Sequence, residues 1–269
     1  MAYLKDMIIA DINKGSATNK KKANSNPHKA SYNSSETNVN TLVITQTLNG
    51  LFREKDPLRE VRAGLHASAV IVPESQFCYR EQVLSLLYKQ SQGKHLATKL
   101  LKIFAAGNSI HEKWQTMFKN AGIAQAIEAR SYDEKFELYF TPDAEVVIGG
   151  KLYVCEIKSM NTYAFQKATS HPSGEKQCML YMFLKGIPNG FVLAEDKNNQ
   201  EIKIFPVEYD FEKVMPYVHR LEHIQKYKRE FLKTKVMVPG LCSNSTCPRA
   251  RDCNLRDSCF NIGMGRKKL

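Results

Sequence analysis

The chain has 269 residues, with 39 lysines and arginines against 27 aspartates and glutamates, so its formal net charge is +12. An apolar content of 43% over this length is enough for a hydrophobic core, and the positive charge favours a polyanionic partner, most simply nucleic acid. No apolar run approaches the roughly 20 residues of a membrane span, and Asp6 interrupts the short apolar start. The composition therefore argues against a membrane or secreted protein and predicts a reducing, cytoplasmic location.

Three regions of different composition follow one another along the chain. Asn, Ser, Lys and Thr dominate residues 12–41, so 1–41 is predicted to be a disordered basic arm. A globular pattern occupies 42–239. Four of the seven cysteines fall in 240–269, which predicts a cysteine-rich lobe with a basic tail.

The hydrophobic periodicity of the middle region predicts an alternation of helices and strands. The predicted elements are helices over 76–90 and 94–119, strands over 137–140, 144–148 and 152–158, a helix over 176–184, strands over 190–194 and 202–207, and a helix over 211–234. Leu100, Ile103 and Phe104 are expected to form the apolar face of the second helix. This order of elements predicts an α/β domain with a mixed sheet.

Two carboxylates and a lysine flank a predicted hairpin. Asp143 begins one strand and Glu156 lies on the next, so pairing across the Gly149-Gly150 turn brings the two carboxylates together. Glu156 and Lys158 share one face, because side chains alternate along a strand. Converging carboxylates suit Mg²⁺ or Mn²⁺, and a nearby lysine can position the attacking water in phosphodiester hydrolysis. A solvated polar strand face is the alternative interpretation.

Two further motifs accompany this hairpin. His111 follows Gly107 and is predicted to lie at the head of a helix, where a neutral imidazole can complete a metal shell. Gln177 and Tyr181 are four residues apart on a predicted helix and therefore share a face, where they can bind a phosphate and stack on a base. A capping role for His111 and core packing for Tyr181 are the alternatives.

These motifs together resemble the RecB-like branch of the PD-(D/E)xK nucleases. That branch has a G-x-x-x-H-E helix, a P-D strand, an E-x-K strand and a Q-x-x-x-Y helix in this order. Here the four motifs are Gly107 to Glu112, Pro142-Asp143, Glu156 to Lys158, and Gln177 to Tyr181. The resemblance spans roughly 68–260. It implies a restriction-endonuclease-like core with a mixed central sheet flanked by helices, and His111, Asp143 and Glu156 as metal ligands.

The late cysteines form the pattern C-x₄-C-x₅-C-x₅-C, whose members are Cys242, Cys247, Cys253 and Cys259. Thiolates at such spacings can converge on zinc or on an iron–sulfur cluster. Zinc is favoured by tight C-x₂-C pairs, which this pattern lacks, so the wider spacings favour a cluster. Cys155 and Cys178 are expected to be small buried residues.

The iron–sulfur members of the same branch, including CRISPR-associated exonucleases and AddB-type nuclease subunits, hold a 4Fe–4S cluster with one early and three late cysteines. This resemblance implies that Cys78 is the early ligand. The family trio is usually C-x₂-C-x₅-C, and this chain departs from that spacing. Either the first three or the last three of the late cysteines can supply the trio, and the binding of all four without Cys78 is a further alternative.

The resemblance implies a metal-dependent DNA exonuclease that acts on single-stranded ends, with Lys158 assisting the attacking water and with Gln177 and Tyr181 positioning the strand. Basic residues of the lobe and the aromatic side chains of Trp114, Tyr163 and Phe165 are expected to line a single-strand groove. The alternative is a non-catalytic iron–sulfur or zinc protein that binds DNA ends or a partner nuclease. No membrane partner is expected, because acidic residues interrupt the helix over 211–234.

Overall fold

The computed structural model describes residues 42–51, 64–88 and 97–261. The chain divides into two units, Met1–Gln46 and Thr47–Leu269. In the first unit the described residues, 42–46, are helical. The predicted basic arm and the tail beyond residue 261 lie outside the described residues.

The second unit contains helical residues 47–51 and a mixed set of helices and strands. In chain order these are β1 (Leu65–His66), α1 (Ala67–Val70), α2 (Tyr79–Leu87), α3 (Thr98–Asn120), β2 (Ala124–Ile127), β3 (Ser131–Asp133), β4 (Leu138–Phe140), β5 (Ala144–Ile148), β6 (Lys151–Met160), α4 (Thr162–Lys167), α5 (Pro172–Lys185), β7 (Asn189–Asp196), β8 (Ile202–Glu208), α6 (Phe211–Thr234), α7 (Pro248–Asp252) and α8 (Arg256–Phe260). A short 3₁₀ turn covers Glu74–Gln76. The predicted elements are all present within a few residues of their expected bounds.

The main sheet has five strands in the order β2-β5-β6-β7-β8. Its strand pairs are antiparallel except for β6 and β7, which are parallel and are joined through α4 and α5. A second, three-stranded sheet has the order β1-β4-β3. The predicted mixed sheet is thus confirmed.

Helices cover both faces of the main sheet. One hydrophobic cluster joins α5 and α6 to inward side chains of β6, β7 and β8, including Val154, Val192 and Phe205. A smaller cluster on the opposite face joins Ile110 and Phe118 of α3 to Cys155 and Ile157 of β6. Because β6 is covered on both faces, its central residues are buried whichever way they point.

The β5–β6 hairpin has the predicted two-residue turn. Ile148 pairs with Lys151, and Gly149 and Gly150 have φ values of 57° and 74°. Two consecutive positive φ values are typical of a type I′ turn, which matches the twist of the flanking strands. The turn therefore fixes the register on which the positions of Asp143 and Glu156 depend.

The second predicted helix is real, but two expectations about it are wrong. Helix α3 continues through Gly107, so His111 lies in the interior of a 23-residue helix and not at its head. The expected apolar face is also incorrect, because Leu100, Ile103 and Phe104 are 43%, 46% and 46% exposed. The half of α3 that packs on the sheet begins at Ile110.

Helix α5 has well-defined ends. The His171 side chain accepts a hydrogen bond from the backbone N–H of Gly174 (3.1 Å), and Glu175 accepts one from the backbone N–H of His171 (2.6 Å). Pro172 occupies the first turn, and Gly186 ends the helix with a φ of 65°. These caps fix the position of the helix that carries Gln177 and Tyr181. Among the described helices, none is long and apolar enough to cross a membrane.

Candidate active site

The register of the hairpin brings the two predicted carboxylates together. Ala144 pairs with Cys155, so Asp143 and Glu156 occupy the next pair of positions along the two strands. Asp143 Oδ2 accepts a hydrogen bond of 2.7 Å from the backbone N–H of Ile157. This bond holds the Asp143 carboxylate against β6, just before β5 begins at Ala144.

Glu156 is buried, with 1% of its surface exposed, and it contacts Lys158. Lys158 Nζ lies 2.5 Å from Glu156 Oε1 and 3.3 Å from Gln177 Oε1. Glu156 Oε2 has no hydrogen-bond partner among the described residues. An unpartnered, buried carboxylate oxygen is costly, and coordination of a cation would satisfy it.

The surroundings of Glu156 disfavour the charged form of its carboxyl. Burial raises the pKa of Glu156 to about 8, with Asp143 contributing in the same direction and Lys158 opposing it. Burial lowers the pKa of His111, but the hydrogen bond with Asp143 and the negative charges of Asp143 and Glu156 together raise it by more, so the pKa is raised overall. After burial, the neighbouring Asp143 carboxylate is the main influence on both groups, and it raises the pKa of each.

His111 faces Asp143 from the interior of α3, with its Nδ1 atom 3.3 Å from Asp143 Oδ1. A third side chain joins them, because ligand atoms of His111, Glu128 and Asp143 all lie within 4.8 Å of one another. Imidazole and carboxylate oxygens are ligands that Mn²⁺ accepts, and carboxylates suit Mg²⁺. This grouping can hold a divalent cation.

Glu128 is the functional candidate that the sequence did not reveal. It follows β2 with a φ of 44°, an unusual value for a residue other than glycine, and its backbone N–H donates to the Asp143 carbonyl (3.3 Å). Gln115 Nε2 donates to Glu128 Oε1 (3.0 Å) and to the Asp143 carbonyl (3.2 Å). The buried amide of Gln115 therefore holds both acidic residues in place.

The structure also brings Gln177 and Tyr181 to this site. Gln177 Nε2 donates a 2.9 Å hydrogen bond to Tyr181 Oη, while Gln177 Oε1 faces Lys158. The Tyr181 ring is 4% exposed and packs against Phe140 at a centroid distance of 6.0 Å. Burial raises the pKa of Tyr181 well above its usual value, so the phenol stays neutral. In this geometry Tyr181 orients Gln177, and its ring is not available for stacking on a base.

The six predicted site residues and the newly found Glu128 all line one open cleft of about 790 Å³. Its acidic part contains Glu128, Asp143 and Glu156, and its basic side chains include Lys158 and Arg130. Carboxylates, a histidine and a lysine on one open cleft form a suitable place for a cation and a phosphodiester.

Two of the three aromatic residues expected in a single-strand groove are structural. The Trp114 indole N–H donates a 2.5 Å hydrogen bond to Glu195, and Phe165 is 3% exposed. Tyr163 is exposed, and Lys167 lies 4.0 Å from its ring centroid. The expectation is therefore wrong for Trp114 and Phe165, whose apolar surfaces are used in packing.

Four cysteines from distant parts of the chain line one small cavity: Cys78, Cys242, Cys253 and Cys259. Cys247 is not among the lining residues. It caps helix α7 by accepting a hydrogen bond from the backbone N–H of Ala250 (3.3 Å), and this bond lowers the pKa of Cys247. Cys155 and Cys178 are buried in the core, as predicted.

The sulfurs do not form a compact zinc cage. With a Zn–S bond of about 2.3 Å, two sulfurs on one zinc are at most about 4.6 Å apart. Among the described residues, no three cysteine sulfurs lie within 4.8 Å of one another. The space between them is about 20 Å³, roughly the room for one water, so a larger group requires the walls to separate.

Two arginines connect the cysteine-bearing segment, residues 240–261, and the residues just before it to α2 and the turn that precedes α2. Arg249 Nη2 donates to the Gln76 carbonyl (2.7 Å) and to Glu81 (3.1 Å). Arg80 Nε donates to the Val238 carbonyl (2.7 Å), and its Nη1 lies 3.9 Å from Cys259 Sγ. These contacts bring Cys78 beside the late cysteines.

Comparison with known proteins gives no assignment from sequence: no protein-family model matches the chain, and no curated protein matches it. The solved structures that are similar in fold include three crystal structures. SSO0001 is 16% identical, with a TM-score of 0.45, over 79% of this chain and 94% of that chain. An alkaline exonuclease, LHK-Exo, from Laribacter hongkongensis is 17% identical, with a TM-score of 0.46, over 64% of this chain and 92% of that chain. LHK-Exo in complex with dAMP is 15% identical, with a TM-score of 0.46 and the same coverages. These scores are too low to assign an activity.

Proposed function

We propose that this chain is a divalent-cation-dependent nuclease that hydrolyses phosphodiester bonds of DNA from single-stranded ends. One observation carries the proposal: Asp143, Glu156 and Lys158 converge with His111 and Glu128 in one open cleft. Four sequence-distant segments contribute to this convergence, and their side chains match the chemistry of metal-assisted phosphoryl transfer.

The cation is Mg²⁺ or Mn²⁺, and Asp143 is its central ligand, with His111, Glu128 and Glu156 completing the protein's share. The unpartnered Glu156 Oε2 and the raised pKa of its carboxyl support a cation at this place. When bound, the cation would polarise the phosphate and lower the pKa of a coordinated water.

The remaining side chains act on the substrate and on one another. The Lys158 ammonium faces the cleft beside Glu156 and can stabilise negative charge that develops on the phosphate oxygens. Gln177 holds Lys158 through its carbonyl oxygen, and the Tyr181 hydroxyl holds Gln177. Gln177 and Tyr181 therefore act as positioning residues for Lys158.

The test is degradation of end-labelled single-stranded and double-stranded DNA with Mg²⁺, Mn²⁺ or EDTA. We expect cation-dependent loss of the single strand, and a loss of at least 100-fold in rate for Glu156→Gln, which keeps the size of the side chain. Glu201→Gln, an exposed acid in the β7–β8 turn, is the matched control and should retain full activity. A wild-type protein that binds DNA ends without cleaving them would favour the non-catalytic alternative.

We further propose that Cys78, Cys242, Cys253 and Cys259 hold a 4Fe–4S cluster and that Cys247 is not a ligand. All-cysteine coordination suits such a cluster, and these four sulfurs share one cavity while Cys247 caps α7. Zinc is the less favoured occupant, because among the described residues no three cysteine sulfurs lie as close together as ligands of one zinc ion do. The cluster would be structural, since it joins the two ends of the domain.

Five single Cys→Ser variants test this ligand set through iron content and visible absorbance of the anaerobically purified protein. Cys247→Ser should keep the wild-type iron content, and the other four should lose most of it. A colourless wild-type protein with bound zinc would reject the cluster. Iron retained in Cys242→Ser but lost in Cys247→Ser would reject the choice of ligands.

A further inference from the structure

A cationic and aromatic wall lies in the same cleft and is not used by the hydrolytic residues. It consists of Arg130, between β2 and β3, together with Tyr139 of β4 and His66 of β1. Arg130 follows Glu128 by two residues, so their Cα atoms are at most about 7 Å apart. The wall is therefore adjacent to the acidic part of the cleft.

The guanidinium of Arg130 is stacked on an aromatic ring. Its central carbon lies 4.6 Å from the centroid of Tyr139, and the Tyr139 ring is itself held by Tyr132 at a centroid distance of 4.7 Å. On another side the ring lies close to Gly64, where an added Cβ would be only 3.1 Å from a ring carbon. A stacked guanidinium keeps its N–H edge available in a fixed plane.

Arg130 is exposed, and among the described residues no acidic side chain forms an ion pair with it. Its closest acidic neighbour in sequence, Glu128, is instead held by Gln115. An arginine with a free N–H fork, fixed by stacking beside a phosphodiester site, is suited to a phosphate oxygen pair.

We propose that Arg130, stacked on Tyr139, binds a backbone phosphate of the DNA strand next to the phosphate that is cleaved. This inference rests on the proposed nuclease function, which supplies the strand, and it adds a residue that holds the strand in register. Phosphate contacts position a strand without reading its sequence, so Arg130 should act equally on all base compositions. Arg130 takes no part in the chemical step.

The experiment measures binding of a fluorescein-labelled phosphorothioate oligonucleotide, which keeps the backbone charge and resists hydrolysis, over a range of salt concentrations. For a single strand, each phosphate contact contributes about 0.7 to the slope of log affinity against log salt. Arg130→Gln should therefore weaken binding about tenfold and reduce the slope by about 0.7, equally for oligo-dT and oligo-dA. Arg130→Lys keeps the charge and should restore the slope.

Arg229→Gln, an exposed arginine on α6 outside the cleft lining, is the matched control and should leave the slope unchanged. Kinetics on ordinary single-stranded DNA should give a raised KM with little change in kcat for Arg130→Gln. An unchanged slope in Arg130→Gln, or a reduced slope in Arg130→Lys, overturns the proposal. If the wild-type protein binds with the predicted slopes but does not cleave, the nuclease function fails and the phosphate contact stands.

Discussion

The carboxyl of Glu156 is buried beside that of Asp143, and Lys158 is its hydrogen-bond partner on one oxygen. Two neighbouring carboxylates with one lysine leave an excess of negative charge in a poorly solvated place. The fold therefore favours the neutral form of the Glu156 carboxyl. Cation binding and the stability of the protein should therefore both change with pH as Glu156 gains or loses its proton.

The pH dependence of stability follows from the sign of the pKa shift. The pKa of Glu156 rises from 4.5 to about 8 on folding, so its protonation stabilises the fold below about pH 4.5, and this stability is lost as the pH rises through about 8. In EDTA, Glu156→Gln should be more stable than the wild type at pH 9, by an amount on the order of 1 kcal/mol or more, and similar at pH 4. Urea unfolding at several pH values measures this difference, and a difference that does not vary with pH would contradict it.

Glu128 is predicted to bind the cation and not only to brace its neighbours. Glu128→Gln keeps one carbonyl oxygen as a possible ligand but removes a negative charge from the group formed with His111 and Asp143. We expect about tenfold weaker Mn²⁺ affinity, or about 1.4 kcal/mol, measured by calorimetry. Glu134→Gln, exposed between β3 and β4, is the control. Equal affinities of the two variants would remove Glu128 from the ligand set.

Among the elements, helix α5 approaches strand β7 closely at Gly190. A Cβ at Gly190 would lie 2.6 Å from both Cys178 Sγ and Met182 Sδ, so glycine allows the helix to approach the strand. Helix α5 also carries Gln177 and Tyr181. The precision of the site therefore depends on a glycine that lies outside the cleft lining.

Gly190→Ala should destabilise the protein by about 1–3 kcal/mol, because the added methyl forces α5 away from the sheet. It should also reduce activity by displacing Gln177. Gly107→Ala is the contrasting variant: its Cβ would lie 3.8 Å from Ser159 Oγ, and alanine favours a helix interior, so stability should rise by about 0.5–1 kcal/mol. Urea unfolding compares the two, and similar stabilities would contradict the close approach at Gly190.

The sequence predicted the strands of the site well, because alternation and a two-glycine turn are local signals. Cys155 and Ile157 point away from the Glu156 face, as expected from alternation. The prediction that His111 lies at the head of a helix was wrong, because the helix continues through Gly107. A glycine within a helix is tolerated when its tertiary contacts are favourable. Glu128 could not be found in this way, because its position depends on a left-handed backbone conformation and on Gln115 from another element.

The burial of the aromatic residues also could not be predicted from the neighbouring sequence. Trp114 and Phe165 have aromatic side chains, which are able to stack on bases. Whether they can do so depends on which face of each helix meets the sheet. In the fold, Trp114 packs against the smaller hydrophobic cluster and donates to the buried Glu195, and Phe165 is buried. Burial set by tertiary packing thus decides their role.

At the scale of the whole molecule, the cysteine-bearing segment and α2 connect the ends of the described domain. Arg249→Ala removes two hydrogen bonds to the turn before α2 and to Glu81, so we expect a loss of about 1 kcal/mol and faster proteolysis near residue 240. Arg256→Ala, whose ion pair is with the adjacent Asp257, should change stability by less than about 0.5 kcal/mol. Equal sensitivity of the two variants would show that Arg249 does not fasten the segment.

The proposed active site is likewise a property of the whole molecule. Helix α3, the β5–β6 hairpin, the end of β2 and helix α5 each contribute side chains to one cleft. No single element contains the complete group of residues, so the site can exist only when the main sheet is formed and covered on both faces. Metal binding should therefore stabilise the complete fold, not one segment of it.

The most direct test of the proposed metal-dependent nuclease is a comparison of two Mn²⁺ titrations on the same protein, one of binding by calorimetry and one of the rate of single-stranded DNA cleavage. We predict that both have the same midpoint in the wild type and that Asp143→Asn weakens both at least tenfold, because Asp143 contacts His111, groups with Glu128 and lines the same cleft as Glu156. Cleavage that continues in EDTA, or undiminished Mn²⁺ binding and cleavage by Asp143→Asn, would contradict the account.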